Sequence, residues 1–209
     1  MGYSNYKNLR QVAEKFNIRI IKSDLIPAIN PIAPSSWLKT SLELAYNVVL
    51  TNEKVKSERL ISPVLTEIHH RHKDQFALFS GEELNVEPEN DLNGPCDFFF
   101  SARPDAYLLE APIVAFTEAK DEDLDYGVAQ CAAQMIGAQR FNAKAKENIN
   151  AIWGCSTTAG EWKFLKLIDQ TLYVDINSYY IDRVEKLLGV FTYIFAQYEQ
   201  VDQLVASPN

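Results

Sequence analysis

Hydrophobic residues recur along this chain with two different periods, and the change from one to the other divides it. Up to Lys73 they fall every three or four positions, the spacing of helices that bury one face. These segments predict helices over 5–16, 37–51 and 53–73, with a short strand over 17–23. Pro63 lies inside the third helix and is expected to bend it or split it in two.

After Lys73, short apolar runs bounded by turn residues predict strands. The order is strands over 76–88, 95–103 and 112–120, a long helix over 123–145, and strands over 150–157, 161–168 and 171–176. Helical spacing from Val184 to Tyr198 predicts a C-terminal helix. Three strands in a row followed by a crossover helix predict an α/β fold, with a mixed central sheet flanked by helices. Since no repeat or linker interrupts the chain, residues 1–209 are expected to form one domain.

Composition and charge limit the classes of protein that remain. The chain is 47% hydrophobic and 23% charged, an ordinary globular composition. No apolar stretch approaches the roughly 18–20 residues that span a bilayer. Cys96, Cys131 and Cys155 are scattered and odd in number, so reduced thiols and a cytoplasmic location without membrane contact are expected. The net charge of −8 repels polyanions, so binding of nucleic acid would require a local basic patch, a metal ion or a partner.

Two charged residues end the third predicted strand, which is otherwise apolar. In APIVAFTEAK, Glu118 and Lys120 are two positions apart and point to the same face, which Val114 and Phe116 are expected to share. Charged side chains are seldom fully buried unless they are paired or bind an ion. The strand therefore either leaves the core here as a solvated end or delivers both charges to a site.

Polar residues on neighbouring elements could reach the same site. Asp97 opens the apolar run DFFFS on the preceding strand, and Glu67 lies in a mainly apolar part of the third helix. On the crossover helix, Gln130 is the expected contributor, and Gln134 lies one turn later on the same face. That helix also carries small residues that allow close packing on a sheet: Gly127, Ala132, Ala133, Gly137 and Ala138.

This ordered set resembles the PD-(D/E)xK nuclease superfamily. The shared features are a glutamate on a helix, an aspartate on the second strand, Glu-x-Lys on the third strand and a glutamine on the next helix. The segments NGPCDFFFS, PIVAFTEAK and GVAQCAAQM are similar to small, uncharacterised bacterial members, many of them cyanobacterial. The resemblance covers about residues 55–156 and implies a restriction-endonuclease-like αβββαβ core, extended by N-terminal helices and a C-terminal hairpin and helix.

The resemblance also implies a chemistry, which is metal-dependent phosphodiester hydrolysis with DNA as the expected substrate. Asp97, Glu118 and the backbone carbonyl of Ala119 would bind Mg²⁺, for which Mn²⁺ could substitute. Lys120 would assist the attacking water and stabilise developing negative charge. Glu67 would orient a metal-bound water or help to hold a second ion. Gln130 would position substrate or water.

Other polar residues have simpler interpretations. Asp105 follows Pro104 and so forms a literal Pro-Asp ahead of Glu-x-Lys, but it is expected in a turn between strands. Asp97 could itself cap the turn after NGPC. His69 and His72 are three positions apart on the helix, but no third metal ligand is apparent in the sequence. All three histidines, including His70, are expected at a solvated helix end.

Two functional hypotheses follow, a Mg²⁺-dependent nuclease and a non-catalytic binding or regulatory module that keeps the nuclease fold. The intact Asp97, Glu118 and Lys120 set favours the nuclease, and the acidic charge favours the module. A homodimer or an accessory subunit could supply DNA affinity. The apolar segment 37–50 and the C-terminal helix are candidate dimer surfaces, although both could simply cover the sheet.

Overall fold

Eight strands form one mixed sheet in the computed structural model, which describes residues 2–205, with side chains through Tyr198. The strands are β1 Arg19–Ser23, β2 Ala77–Glu83, β3 Pro95–Ser101, β4 Ile113–Ala119, β5 Ile152–Thr157, β6 Glu161–Ile168, β7 Thr171–Asp175 and β8 Tyr179–Tyr180. Their order across the sheet is β1-β7-β6-β5-β4-β3-β2, and β8 pairs with the start of β6. The pairs β1–β7 and β4–β5 are parallel, and the other pairs are antiparallel.

Helices cover both faces of this sheet. They are α1 Leu9–Phe16, α2 Ser36–Ala45, α3 Glu53–Lys56, α4 Ser62–Arg71, α5 Leu124–Lys144 and α6 Val184–Val205. One core contains the buried residues of α1 and α5, and the other contains those of α2, α4 and α6. Among residues 2–205, no helix has the length and apolar character needed to cross a membrane. The predicted α/β fold, a mixed sheet between helices, is confirmed.

Several boundaries differ from the predictions. The helix predicted over 37–51 ends at Ala45, because the β-branched pair Val48 and Val49 and the preceding Asn47 have low helix propensity. The helix predicted over 5–16 begins only at Leu9, where Asn8 caps it by accepting a hydrogen bond from Gln11 N. The short strand β8 was not predicted, since two residues carry too little pattern.

The helix predicted over 53–73 is divided by a π-helical turn over Ser57–Ile61, which connects α3 to α4. Pro63 has no backbone N–H and therefore leaves the carbonyl of Arg59 without its helical donor. Within the wider turn, Ser62 N–H donates to the carbonyl of Ser57, five residues earlier. The predicted disruption near Pro63 is confirmed, and it lies just before the proline.

A register shift in β4 changes which side chains share a face. Ser101 of β3 pairs with Ile113, but the adjacent Phe100 pairs with Ala115, so Val114 is an extra residue in β4. Such a bulge reverses the alternation of side chains on either side of it. Phe116 accordingly packs in the α5 core and Val114 in the opposite core. The prediction that Val114 shares a face with Phe116 is wrong.

Candidate functional site

Strands β3 and β4 separate at Asp97, and this separation places the aspartate beside the end of β4. The last registered pair is Phe98 with Thr117. Beyond this pair the backbone pairing of β3 with β4 ends. The Asp97 side chain makes the next connection, because its Oδ2 accepts a hydrogen bond from Ala119 N at 2.8 Å. A half-buried carboxylate is thus fixed next to the Glu-x-Lys sequence.

Glu118 is almost completely buried, with 5% of its surface exposed. Its Oε1 accepts a hydrogen bond from Lys120 Nζ at 2.8 Å, and its Oε2 accepts one from Gln134 Nε2 at 2.6 Å. Burial raises the pKa of Glu118 to about 7, and the negative charge of Asp97 adds to this rise, while Lys120 opposes it. Two carboxylates that repel each other in a buried position form a site that favours a cation.

The Lys120 ammonium bridges two atoms that the family resemblance implies as metal ligands. Its Nζ lies 2.8 Å from Glu118 Oε1 and 2.7 Å from the carbonyl oxygen of Ala119. Burial lowers the pKa of Lys120, but the negative charges of Glu118, Glu53 and Asp97 together outweigh this effect, so the pKa is raised and the lysine is charged. The positive charge at this point is therefore held by carboxylate and carbonyl oxygens together.

Two glutamines of α5 complete the polar lining. Gln130 and Gln134 line a cavity of about 230 Å³ together with Asp97 and Glu118. Both glutamines are buried, and the Oε1 atom of each has no hydrogen-bond partner within the described part of the chain. Buried polar atoms usually have a partner, so two unpaired amide oxygens beside two carboxylates indicate a place for a missing donor or cation. The structure thus brings both predicted glutamines to the same cavity.

The beginning of the chain forms one wall of this cavity through Gly2, Tyr3 and Ser4. Tyr3 N donates to the carbonyl of Asn93 at 3.0 Å, and its buried hydroxyl donates to the carbonyl of Leu84 at 3.0 Å. Gly2 has φ +152°, and a Cβ atom at this position would overlap the carbonyl oxygen of Asn93. Only glycine fits so close to that backbone. The sequence alone did not indicate this wall, because it depends on contacts about 80 residues apart.

Two lysines meet at the ring of Tyr126, beside the same cavity. Lys7 Nζ lies 4.3 Å from the ring centroid and Lys120 Nζ lies 5.5 Å from it. The Tyr126 hydroxyl accepts a hydrogen bond from Lys7 Nζ at 2.7 Å and donates one to the carbonyl of Ser4 at 3.0 Å. A small basic spot therefore adjoins the carboxylates, although the whole chain is acidic.

The available donor atoms suit a hard divalent cation. Asp97 and Glu118 offer carboxylate oxygens, Ala119 offers a carbonyl and Gln130 an unpaired amide oxygen. Mg²⁺ takes oxygen ligands and commonly uses one or two carboxylates, with water and substrate completing its coordination. Among the residues that the structure describes, no group of three or more His, Cys, Asp or Glu side chains is arranged to hold a metal ion.

Glu67 is not brought to this cavity, contrary to the prediction. Its Oε2 accepts a hydrogen bond from Ser35 Oγ at 2.6 Å, and its Oε1 accepts one from Arg71 Nη2 at the same distance. The helix carboxylate near the site is instead Glu53, whose Oε2 lies 3.9 Å from Lys120 Nζ. Fourteen residues separate the two glutamates, which corresponds to about 20 Å along a helix. Glu67 is therefore hydrogen-bonded to Ser35 and Arg71 and does not line the cavity that contains Asp97.

Of the remaining sequence candidates, Asp105 and His70 are exposed as predicted, but the solvated helix end predicted for all three histidines is wrong for His72, which is half-buried. Asp105 is exposed in a turn between β3 and β4, as predicted. His69 and His70 lie in the last turn of α4, and His72 follows it with its ring against Phe195. The histidines form no metal cluster with other described side chains.

Gly127 lets the first turn of α5 lie directly on β5 beside Lys120. A methyl group at this position would overlap Ser156 Oγ and come within 2.8 Å of Lys120 Cγ. We expect Gly127→Ala to lower the free energy of unfolding by about 1–3 kcal/mol through overpacking, despite the better helix propensity of alanine. Urea unfolding measures this change. The control is Gly160→Ala, where no atom lies within 4 Å of the new Cβ, and an equal loss in the control would contradict the explanation.

Glu118→Gln should stabilise the metal-free protein at alkaline pH. Because the folded-state pKa of Glu118, about 7, lies above its ordinary value of 4.5, the wild-type free energy of unfolding falls as pH rises from 4.5 to 7. Glutamine does not ionise, so this loss is absent in the variant. At pH 8 we expect the free energy of unfolding of Glu118→Gln to exceed that of the wild type by about 1–3 kcal/mol. At pH 4.5 the gain should nearly vanish. Thermal unfolding in EDTA at both pH values tests this, and a gain that did not depend on pH would exclude titration of Glu118 as its cause.

No protein-family model matches this chain, and no curated protein matches it. Function must therefore be inferred from the residues of the cavity.

Proposed function

We propose that this protein hydrolyses phosphodiester bonds in nucleic acid, with DNA as substrate and Mg²⁺ as cofactor, and that it belongs to the PD-(D/E)xK nuclease superfamily. One observation carries the proposal. Asp97 and Glu118 line the same cavity, and the Lys120 ammonium joins Glu118 to the carbonyl of Ala119. Two carboxylates and two unpaired amide oxygens in one small cavity, with a lysine bound to one of the carboxylates, are typical of a functional site.

The arrangement of elements supports a restriction-endonuclease-like core within the larger sheet. The helix α4 precedes three antiparallel strands, β2, β3 and β4, and α5 then crosses over to β5, which pairs parallel with β4. This is the αβββαβ order expected from the resemblance. The strands β1 and β7 extend the sheet beyond that core.

Each residue of the proposed site would have its own role in the reaction. Asp97, Glu118 and the Ala119 carbonyl would hold the metal ion, which when bound polarises the scissile phosphate and lowers the pKa of water. Lys120 would exchange its present contacts for the phosphate, where its charge stabilises the negative charge that develops on the oxygens. Gln130 would orient substrate or water through its unpaired oxygen.

The acidic net charge requires a specific account of how nucleic acid binds. At −8 the chain repels a polyanion at long range, so the Lys7 and Lys120 spot acts only at short distance. A homodimer or an accessory subunit would supply the remaining phosphate contacts. Two active sites related by two-fold symmetry would also allow both strands of a duplex to be cut.

A cleavage assay on plasmid, branched and single-stranded DNA, with Mg²⁺, Mn²⁺ or EDTA, tests the proposal. We expect divalent ions to support cleavage and EDTA to stop it. Calorimetric titration of Mg²⁺ with and without DNA should run in parallel, because some sites bind metal only with substrate. Neither cleavage nor metal binding under any condition would favour the second hypothesis, a binding module that keeps the fold.

A further inference from the structure

A second cavity lies on the opposite side of the sheet from the candidate site, toward the start of β5. It has a volume of about 260 Å³ and is lined mainly by apolar and aromatic side chains, together with Asn150, Gln197 and one lysine. The lining includes Ile149, Ala151, Trp153, Lys166, Ile168 and Tyr198. Trp153 pairs with Ala115, three residues before Glu118 on β4, so the two cavities are separated by about 10 Å along the strands.

Lys166 brings a positive charge to this cavity. Its Nζ donates a hydrogen bond to Gln197 Oε1 at 3.0 Å and lies 4.8 Å from the centroid of the Trp153 ring. None of the carboxylates that the structure describes pairs with it. Burial lowers the pKa of Lys166, which is the direction expected where no anion compensates the charge.

Trp153 adds an unused hydrogen-bond donor. The residue is 1% exposed, and its indole N–H has no hydrogen-bond partner among the residues whose side chains are described. The nearby Tyr198 hydroxyl is already engaged, because it lies 2.8 Å from the carbonyl oxygen of Val114 and 3.0 Å from that of Ala151. Lys166 uses one of its three N–H donors on Gln197 Oε1, and no carboxylate of the described residues accepts a hydrogen bond from the other two or from the Trp153 indole.

We propose that this cavity binds a small organic monocarboxylate, with its carboxylate on Lys166 and its apolar body against Ile149, Ile168 and Trp153. One lysine suits a single negative charge, and the mainly apolar lining suits a hydrocarbon body better than a fully polar anion such as phosphate. The volume lies just below the range of about 300–1,000 Å³ typical of ligand pockets, which limits the ligand to a few carbon atoms. The site is independent of the proposed nuclease activity.

Calorimetry with hexanoate on the full chain tests this proposal, with 1-hexanol and hexylamine as probes of equal length. We expect hexanoate to bind saturably and the alcohol and amine to bind at least about tenfold more weakly, a difference of 1.4 kcal/mol or more. Lys166→Met should weaken hexanoate binding by at least the same factor, and Lys166→Arg should retain most of it. Absence of saturable hexanoate binding, or equal binding of the alcohol, would overturn the proposal.

Lys163→Met is the matched control. Lys163 lies three residues earlier on β6, on the other face of the sheet, and its Nζ donates to the carbonyl of Asn177. Hexanoate affinity should be unchanged in this variant, and a loss equal to that of Lys166→Met would point to a general charge effect and reject the site. Should Lys166→Met fail to fold, Ile149→Phe narrows the cavity while keeping the lysine. Undiminished hexanoate binding by that variant would also reject the site.

Discussion

Replacing Glu118 with glutamine, or Asp97 with asparagine, is expected to reduce metal-dependent cleavage by at least about 100-fold. Each change removes a negative charge from the cavity and keeps the size of the side chain. Glu118→Gln also retains an acceptor for the hydrogen bond from Gln134. Since neither substitution creates a void, the loss should come from weaker metal binding and poorer charge stabilisation rather than from unfolding. Initial rates of plasmid cleavage, measured over a range of Mg²⁺ concentrations, give the comparison.

Asp105→Asn is the control for this pair, because Asp105 is exposed in the turn after β3 and does not line the cavity. Its cleavage rate should match that of the wild type. Full activity in Glu118→Gln or Asp97→Asn would eliminate the assignment of the site, and an inactive Asp105→Asn would show that the wrong aspartate had been chosen. Melting temperatures of all variants in EDTA show whether any loss reflects unfolding.

Glu67→Gln is expected to lower the free energy of unfolding by about 2–3 kcal/mol at pH 7. The Glu67 side chain is 4% exposed and binds Arg71, while its two oxygens also accept hydrogen bonds from Ser35 N and Ser35 Oγ. Ser35 in turn caps α2, since its hydroxyl accepts a hydrogen bond from Leu38 N. Loss of the charge therefore weakens the connection between α4 and the start of α2. Urea unfolding at pH 7 gives the difference.

The effect of Glu67→Gln should depend on pH in a defined direction. Burial alone would raise the pKa of Glu67, but hydrogen bonds from Ser35 and Arg71 outweigh it and lower the pKa below its ordinary value of 4.5. The ionised carboxylate therefore stabilises the fold above pH 4.5, and this contribution is lost as pH falls through the lowered pKa. The difference between variant and wild type should shrink in acid, and a constant difference from pH 7 to pH 3 would contradict this account.

Glu58→Gln is the matched control on the same helical segment. Glu58 pairs with Lys54 at 4.0 Å, and both side chains are largely exposed. Surface pairs of this kind contribute little to stability, so the variant should unfold at nearly the same urea concentration as the wild type. A loss as large as that of Glu67→Gln would show that any charge change on this segment is destabilising.

Local sequence patterns were sufficient to predict the helix and the strand that carry the site residues. The crossover helix, predicted over 123–145, is α5 Leu124–Lys144, and the run ending in Glu-x-Lys is β4. These predictions succeed because the period of apolar residues depends on neighbours in sequence. Pairings between distant segments carry no such signal. The parallel contact of β1 with β7, about 150 residues later, therefore had to come from the structure.

The same distinction between local patterns and distant pairings explains which residues of the site could be predicted. Asp97, Glu118 and Lys120 meet because adjacent strands bring them together, and strand alternation is visible in the sequence. For the helix carboxylate, periodicity gives the buried face but not which end of the helix approaches the sheet. Glu67 looks suitable because it is surrounded by apolar residues, whereas Glu53 is half-exposed in the first turn after the Asn52 cap. A π-helical turn between them further changes the face on which later residues lie.

The wall formed by Gly2, Tyr3 and Ser4 has a practical consequence for work on this protein. Because Gly2 lines the cavity that holds Asp97 and Glu118, a tag fused at the amino end would be joined to the chain close to these carboxylates. A polyhistidine tag there would add metal ligands near them. Cleavage assays and metal titrations therefore require protein from which such a tag has been removed.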